Sequence, residues 1–207
     1  MRRIEIEHIT RYAYQMPVQF LPHKIYVRPR EGHDIRIESS SLQITPAFSI
    51  DWQRDVFGNS VAMVHFSEGG KLLEIVSRLV VQHYADQPSQ VQLAEHACAY
   101  PVHYDPIEQI DLIPYQVSVF PQDYADVGAW LQDILSTGTV KDAVSLLNRI
   151  NEKIAGSIAY TVRAEPGVQS PNTTLSLGRG TCRDVATLFI EACRYCGLGS
   201  RFVSGYL

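Results

Sequence analysis

The spacing of the apolar residues changes once along this chain, and that change constrains the fold more than any other feature. Before about residue 84, apolar and polar residues alternate, as in "RRIEIEHITRYAY" at 2–14. A period of two is typical of β-strands that bury one face. A Gly58-Asn59 pair between two apolar runs predicts a hairpin. We therefore predict an antiparallel β-sandwich-like domain over 1–85.

After about residue 120 the apolar residues fall at helical spacing instead. Two predicted helices carry the sets Tyr124, Val127, Trp130, Leu131, Ile134 and Val140, Val144, Leu147, Ile150, Ile154. The segment Thr139-Val140-Lys141-Asp142, which precedes the second set, resembles a capping box. A third helix is predicted from Cys182 to about Cys196, with Gly197 in the position that ends it.

The segments between and after these helices are predicted to be less regular. Prolines punctuate a connector at 86–120, so we expect no long regular element there. We predict a short strand in "AYTVRA" at 159–164 and a loop over 165–180. The last residues, "SRFVSGYL" at 200–207, are predicted to form a strand.

Charge and composition argue against several classes of partner. The 207 residues carry 22 acidic and 18 basic side chains, a net charge of −4, so no nucleic acid is expected as the main partner. No apolar run approaches the ~20 residues of a transmembrane helix, and the N-terminus lacks the core of a signal peptide. For the same reason we expect no membrane partner. Four cysteines are too few for a disulfide scaffold, so we expect a reduced, cytoplasmic protein.

Cys182 is the candidate catalytic residue, because it stands at the start of the last predicted helix, just after Gly178 and Gly180. The positive end of a helix dipole favours a thiolate, and free backbone N–H groups there can stabilise an oxyanion. The glycines allow a close backbone approach and leave room for a substrate. Cys182 shares the helical spacing of Val185 and Phe189, so we predict that it points toward the packed side.

The other cysteines have simpler explanations. Cys193 and Cys196 lie in the apolar stripe of the last predicted helix, so we interpret both as core residues rather than as a redox or metal pair. The polar residues Arg183, Asp184, Thr187, Glu191 and Arg194 lie mostly off that stripe. An alternative zinc site would use Glu95, His96, Cys98, His103 and Asp105, but it lacks the spacing of a metal motif. We therefore expect no metal and no cofactor.

The final segment, "GRGTCRDVATLFIEACRYCGLGSRFVSGYL", resembles the start of the transglutaminase-like core of bacterial proteins. The matching residues are Gly180, Cys182, Arg183, Asp184, Gly197, Arg201, Val203, Ser204, Gly205 and Tyr206. The N-terminal region resembles the β-rich domain that precedes this core, through His8, Thr10, Tyr12, Tyr14, Pro17, Val18, Arg28-Pro29-Arg30, Asp55 and Phe57-Gly58-Asn59. Members of this family are described as cysteine proteases or transglutaminases.

This resemblance implies an α+β protein. A partial papain-like domain of helices and strands, 121–207, follows the β-sandwich-like domain at 1–85 and the proline-rich connector at 86–120. It also implies a Cys-His-Asp triad in which Cys182 attacks an amide or peptide carbonyl and forms a thioester. Water then gives hydrolysis and an amine gives acyl transfer. A peptide or protein is the expected substrate, and the acceptor stays open. Arg183 and Asp184 are interpreted as helix-start electrostatics and structural contacts.

The base that such a triad needs is missing from the sequence at hand. All seven histidines precede Cys182, whereas the resemblance places the catalytic histidine and aspartate downstream. We therefore expect a fragment that lacks its last strands and efficient triad catalysis. A final strand at the C-terminus would leave an unpaired sheet edge, so we expect a homodimer through that edge. The main alternative function is a non-catalytic module that binds a peptide or glycan.

Overall fold

The structure, a computed structural model, describes residues 1–84, 93–136, 138 and 140–206. The chain divides into two compact units, Met1–Gln90 and Val91–Leu207. The first unit contains β-strands and the second contains mainly helices. The predicted α+β class is confirmed in these terms.

Two antiparallel sheets form the N-terminal unit. Its strands are β1 (Arg2–Val18), β2 (His23–Ile25), β3 (Ile35–Thr45), β4 (Phe48–Arg54), β5 (Ser60–Phe66) and β6 (Gly70–His83). The strand orders are β1-β6-β3 and β2-β5-β4, with neighbours antiparallel throughout. One buried cluster joins the two sheets, as a β-sandwich requires, and consists of Phe20, Ile25, Ile44, Ala62, Val64 and Leu73.

The predicted hairpin joins β4 and β5. Its turn brings Arg30 into contact with motif residues that lie far from it in the sequence. The carboxylate of Asp55 accepts hydrogen bonds from the backbone of Phe57 (3.0 Å) and Asn59 (2.8 Å). Gly58 takes φ +76°, a left-handed conformation that glycine adopts without strain. Arg30, from the segment before β3, donates to the side chain of Asn59 and to the carbonyl oxygen of Phe57. Arg30 therefore connects this turn to the segment before β3.

The C-terminal unit is built around its last helix. Its elements are α1 (Pro106–Gln116), α2 (Tyr124–Ser136), α3 (Ala143–Ser157), β7 (Ala159–Tyr160), α4 (Pro171–Leu177), β8 (Arg179–Gly180) and α5 (Cys182–Tyr195). The other four helices all contact α5. The buried core consists of Val127, Leu131, Ile134, Leu146, Ile150, Ile154, Leu188, Ala192, Cys193, Cys196 and Leu198.

Three predictions for the irregular segments are wrong. The connector contains α1, because Pro106 occupies the first helical position, where a missing N–H is harmless, and Asp105 caps the helix (3.0 Å to the N–H of Ile107). The predicted loop over 165–180 contains α4 and β8, since Ser170 caps α4 and Gly178 ends it with φ +60°. Residues 200–206 form no strand, because the structure provides no neighbouring strand there among the described residues.

The start of α3 differs in detail from its prediction. Asp142 is the N-cap: its carboxylate accepts from the backbone N–H of Ser145 (2.7 Å), and the Ser145 hydroxyl accepts from the N–H of Asp142 (3.1 Å). The capping box therefore begins at the last residue of the predicted tetrapeptide. Thr139, at the start of that tetrapeptide, lies outside the described residues. The predicted end of α5 is confirmed, with Gly197 at φ +80°.

Among the described residues, no helix combines the length and the apolar character that spanning a bilayer would require.

Helix α2 packs closely against α5 at Gly128. A Cβ added there would lie 2.5 Å from the ring of Tyr195 on α5, so the ring would have to move. We expect Gly128→Ala to lower the free energy of unfolding by about 1–3 kcal/mol, as overpacking usually does. Gly156→Ala in α3 is the matched control, because a Cβ there meets nothing within 4 Å.

The control substitution should instead raise stability by about 0.5–1 kcal/mol, since alanine is the better helix former. Urea unfolding followed by circular dichroism measures both effects. Equal changes in the two variants would contradict the close packing of α2 on α5.

Candidate active site

Cys182 is the first residue of α5, and Thr181 is its N-cap. The thiol is free and exposed. The prediction that it points toward the packed side is therefore wrong. Val185 and Phe189 share its face of the helix, and both are only half-buried. The completely buried residues Asp184 and Leu188 lie on a different side of α5, so solvent and reagents can reach Cys182.

Asp184, two residues after Cys182, fixes the first turn of α5. Its side chain is completely buried, and its carboxylate accepts five hydrogen bonds. Oδ2 accepts from the backbone N–H of Thr181 (2.8 Å), the hydroxyl of Thr181 (2.9 Å) and Nε of Arg163 (2.9 Å). Oδ1 accepts from the backbone N–H of Gln169 (2.7 Å) and Nη2 of Arg163 (3.0 Å). The expectation that Asp184 makes structural contacts at the helix start is confirmed.

Arg163 is the partner that balances this buried charge. Its guanidinium grips both oxygens of Asp184 and also donates to the carbonyl oxygens of Glu165 (2.8 Å) and Gly167 (2.7 Å). The hydrogen bond from Arg163 is the main cause that holds the pKa of Asp184 well below its usual range, and the same contact raises the pKa of Arg163. The pair ties the 163–169 segment to the start of α5.

Gly180 is needed because the backbone passes very close to Asp184. A Cβ at this position would lie 2.9 Å from Cβ of Asp184 and 3.3 Å from the side-chain oxygen of Gln169. The parallel pair β7–β8 holds Gly180 there, since its carbonyl oxygen accepts from the N–H of Thr161 (2.9 Å). The glycine of the motif therefore serves the buried carboxylate, which is a different reason from the substrate access that the sequence suggested.

The backbone donors at this helix start are divided between two uses. The capping box occupies the N–H groups of Thr181 and Asp184. Within the part of the chain that the structure describes, the N–H groups of Cys182 and Arg183 donate to no protein acceptor. Such free donors are where an anion or an oxyanion binds most readily.

A cleft of about 580 Å³ borders the same network. Its lining comes from the segment after β7 and from the end of α4 into β8: Thr161, Val162, Arg163, Ala164, Glu165, Gln169, Leu177 and Arg179. Arg163 and Gln169 thus contact Asp184 and also line the cleft. Cys182 itself is not part of the lining.

The remaining cysteines differ sharply from Cys182. Cys193 and Cys196 are buried, as predicted for core residues. Burial raises the pKa of Cys193 to about 12 and also raises the pKa of Cys196, so both stay as inert thiols at neutral pH. Cys98 is exposed, and its thiol donates to the carbonyl oxygen of Ala94 (3.6 Å). Two exposed thiols therefore exist, of which one begins a helix.

Within the C-terminal unit, no hydrogen bond or ion pair joins a described histidine to Cys182. His96 is near Glu108 (3.8 Å) and stacks with Tyr104 instead. The alternative zinc site is not formed, because no group of three or more metal-ligating side chains comes together in the described part of the chain.

Sequence reasoning missed three features of this unit. Arg163 and the backbone of Gln169 carried no sequence signal, although a buried Asp184 would have demanded such partners. Glu191 and Arg194 were placed off the apolar stripe, yet both are nearly buried and form an ion pair (2.7 Å). The apolar stripe does not predict the burial of Glu191 and Arg194, because a paired charge can pack like an apolar residue.

Two protein-family descriptions match the chain. Residues 4–82 match the bacterial transglutaminase-like N-terminal region, and residues 129–207 match the transglutaminase-like superfamily. The C-terminal part of this chain is thus similar to the transglutaminase-like superfamily. The match at 129–207 contains Cys182 and Asp184 as well as Arg163, so the whole network described above lies within the transglutaminase-like core.

The structure is also similar to a solved one. The crystal structure of a putative cysteine protease from Cytophaga hutchinsonii matches with a TM-score of 0.69 and 18% sequence identity. The match covers 94% of this chain and 64% of that chain, so this chain spans about two thirds of the length of its structural relative. At this identity the likeness concerns the fold, and it supports a papain-like core. No curated protein matches the sequence.

The charge of Asp184 should make the free energy of unfolding depend on pH in the acidic range. Because its pKa in the folded protein lies below the unfolded value of about 4, the carboxylate stabilises the fold above that value and loses this effect as the pH falls. Asp184→Asn removes a buried ionic partner and should lower the free energy of unfolding by about 3–5 kcal/mol at pH 7.

The difference between wild type and Asp184→Asn should shrink steadily from about pH 5 downward, since only the wild type has this charge to lose. Urea unfolding at a series of pH values measures it. A difference of constant size from pH 7 to pH 2 would show that the carboxylate is not ionised in the fold.

Proposed function

We propose that Cys182 is the nucleophile of a cysteine-dependent amide or peptide hydrolase, or acyl transferase, of the transglutaminase-like type. The observation that carries this proposal is the position of the thiol. Cys182 is exposed, begins α5 and lies within the region that matches the transglutaminase-like superfamily. Cys193 and Cys196 lie in the same matched region, but both are buried and neither begins a helix.

The reaction begins when the thiolate of Cys182 attacks the carbonyl carbon of an amide. A sulfur–carbon bond forms, and the carbonyl oxygen becomes an oxyanion. The free N–H groups of Cys182 and Arg183 are suitable donors for that oxygen, because the capping box uses only the neighbouring ones. The carbon–nitrogen bond then breaks, the amine leaves with a proton, and a thioester remains on Cys182.

The second half of the reaction depends on the acceptor. Water attacks the thioester to release a carboxylic acid and regenerate the thiol, which is hydrolysis. An amine attacks in the same way and forms a new amide, which is acyl transfer. A peptide or protein carboxamide is the substrate class that fits either outcome. Within the C-terminal unit, no described side chain forms a hydrogen bond or ion pair with the thiol of Cys182.

An activated ester tests the nucleophile directly. The leaving group of a p-nitrophenyl ester of an N-acyl amino acid needs no proton, so acylation of Cys182 requires only the thiolate and the oxyanion donors. We expect a thioester on the Cys182 peptide, seen by mass spectrometry and removed by hydroxylamine. At pH 7 it should form at least about tenfold faster than any adduct on Cys98, the other exposed thiol.

Two variants serve as controls. Cys182→Ala should abolish the adduct, whereas Cys98→Ala should leave the rate at Cys182 unchanged. Equal acylation of the two thiols, or none at Cys182, would contradict the proposal. Peptide or glycan binding that persists in Cys182→Ala without any acylation of the wild type would instead identify a non-catalytic binding module.

A further inference from the structure

We propose that Arg163 is a positioning residue that sets the electrostatic environment of Cys182 through Asp184. The inference rests on the proposed function, since control of this thiol matters only if Cys182 is the nucleophile. Arg163 comes from the segment after β7, 19 positions before Cys182, and is itself largely buried. Among the hydrogen bonds of the described residues, its guanidinium reaches the start of α5 through the Asp184 carboxylate.

The need for this residue follows from the charge of Asp184. Asp184 lies in the first turn of α5, and its Oδ2 accepts from the N–H of Thr181, the residue just before Cys182. A negative charge there competes with a thiolate for the positive end of the helix, because like charges disfavour each other. A buried carboxylate without a counter-charge would therefore suppress the thiolate.

Arg163 balances the charge of Asp184, and hydrogen bonds fix the orientation of its guanidinium group. A guanidinium fork binds both carboxylate oxygens at once, which a single ammonium group cannot do. Its remaining donors hold the carbonyl oxygens of Glu165 and Gly167, so the fork is itself anchored. With the pair balanced, the helix dipole acts on Cys182 without an opposing net charge.

Other charged groups around this helix start are more exposed. They are Arg183 on α5, Arg179 on β8 and Glu165 in the segment after β7. Asp123, before α2, is buried but accepts from the N–H of Asn172 at the start of α4 (2.9 Å). All four are left unchanged in the variants below, so their contribution cancels in the comparison.

The test is the pH dependence of alkylation of Cys182 by iodoacetamide, measured on the Cys182 peptide by mass spectrometry. Arg163→Met leaves three donors on Asp184, which stays charged, and should move the half-maximal rate up by about one pH unit. Asp184→Asn leaves the Arg163 charge unbalanced and should move it down by a similar amount. The double variant should return close to the wild-type profile.

The opposite signs separate this role from a merely structural one. Loss of packing would disturb the helix start in both single variants and would move their profiles in the same direction. Arg163→Lys keeps the charge and should keep the profile while lowering stability. Should Arg163→Met fail to fold, the downward shift in Asp184→Asn and the unchanged profile in Arg163→Lys still decide the question.

Arg194→Met is the matched control. Arg194 is an equally buried arginine on α5, paired with Glu191, and it lies 12 residues after Cys182, about 18 Å along the helix. It should lower stability without moving the alkylation profile. A profile that moves as much in Arg194→Met as in Arg163→Met, or shifts of one sign in both variants of the Arg163–Asp184 pair, would overturn the inference.

The ester test described above keeps the two proposals distinct. Opposite shifts without acylation of Cys182 would support the role of Arg163 and refute the proposed chemistry. Acylation of Cys182 without any shift in the two single variants would overturn the role of Arg163 and leave the proposed chemistry in place.

Discussion

The fully buried carboxylate of Asp184 is the contact on which the C-terminal unit's chemistry depends. A charge without water must be surrounded by donors, and five of them converge here from Arg163, Gln169 and Thr181. Each donor comes from a segment that would otherwise be an irregular connection. Satisfying one carboxylate thus fixes the N-cap of α5, the segment after β7 and the approach of Gly180 together.

The far end of α5 repeats this arrangement with different residues. Glu191 accepts from Arg194, from the hydroxyl of Ser118 and from the backbone of Val119. Arg194 in turn donates to the carbonyl oxygen of Ser200. Between the two ion pairs, Leu188 is completely buried, and Val185 and Phe189 are half-buried. The helix is therefore held by paired charges at both ends, which gives its first residue a defined position on a rigid element.

Sequence patterns predicted the regular elements well, because those elements follow from periodicity alone. The helical spacing in α2, α3 and α5 reflects a buried face in each helix. The alternation in β1 predicted the strand itself, although no residue of β1 is buried. The helix α1 escaped prediction because its prolines suggested a break, although Pro106 at a first helical position starts a helix instead of ending one.

The site was only partly predictable, for a physical reason. Cys182 and Asp184 were visible as members of a motif at a helix start. Their surroundings were not, since partners such as Arg163 lie far along the chain and a single sequence does not show which segments meet. The prediction that the Cys182 side chain points toward the packed side is wrong because periodicity defines a face of the helix, whereas exposure depends on what covers that face.

The way Arg163 holds its segment has a consequence for how this cleft can diversify. Its donors bind the carbonyl oxygens of Glu165 and Gly167. Gly167 has φ +82° and therefore favours glycine, whereas the side chain of Glu165 takes no part in the hydrogen bond from Arg163. Ala164 and Glu165 line the cleft. Exchange of the Ala164 or Glu165 side chain would therefore reshape the cleft and leave the Arg163–Asp184 pair in place. The surface of the cleft and the start of α5 would then vary independently of each other.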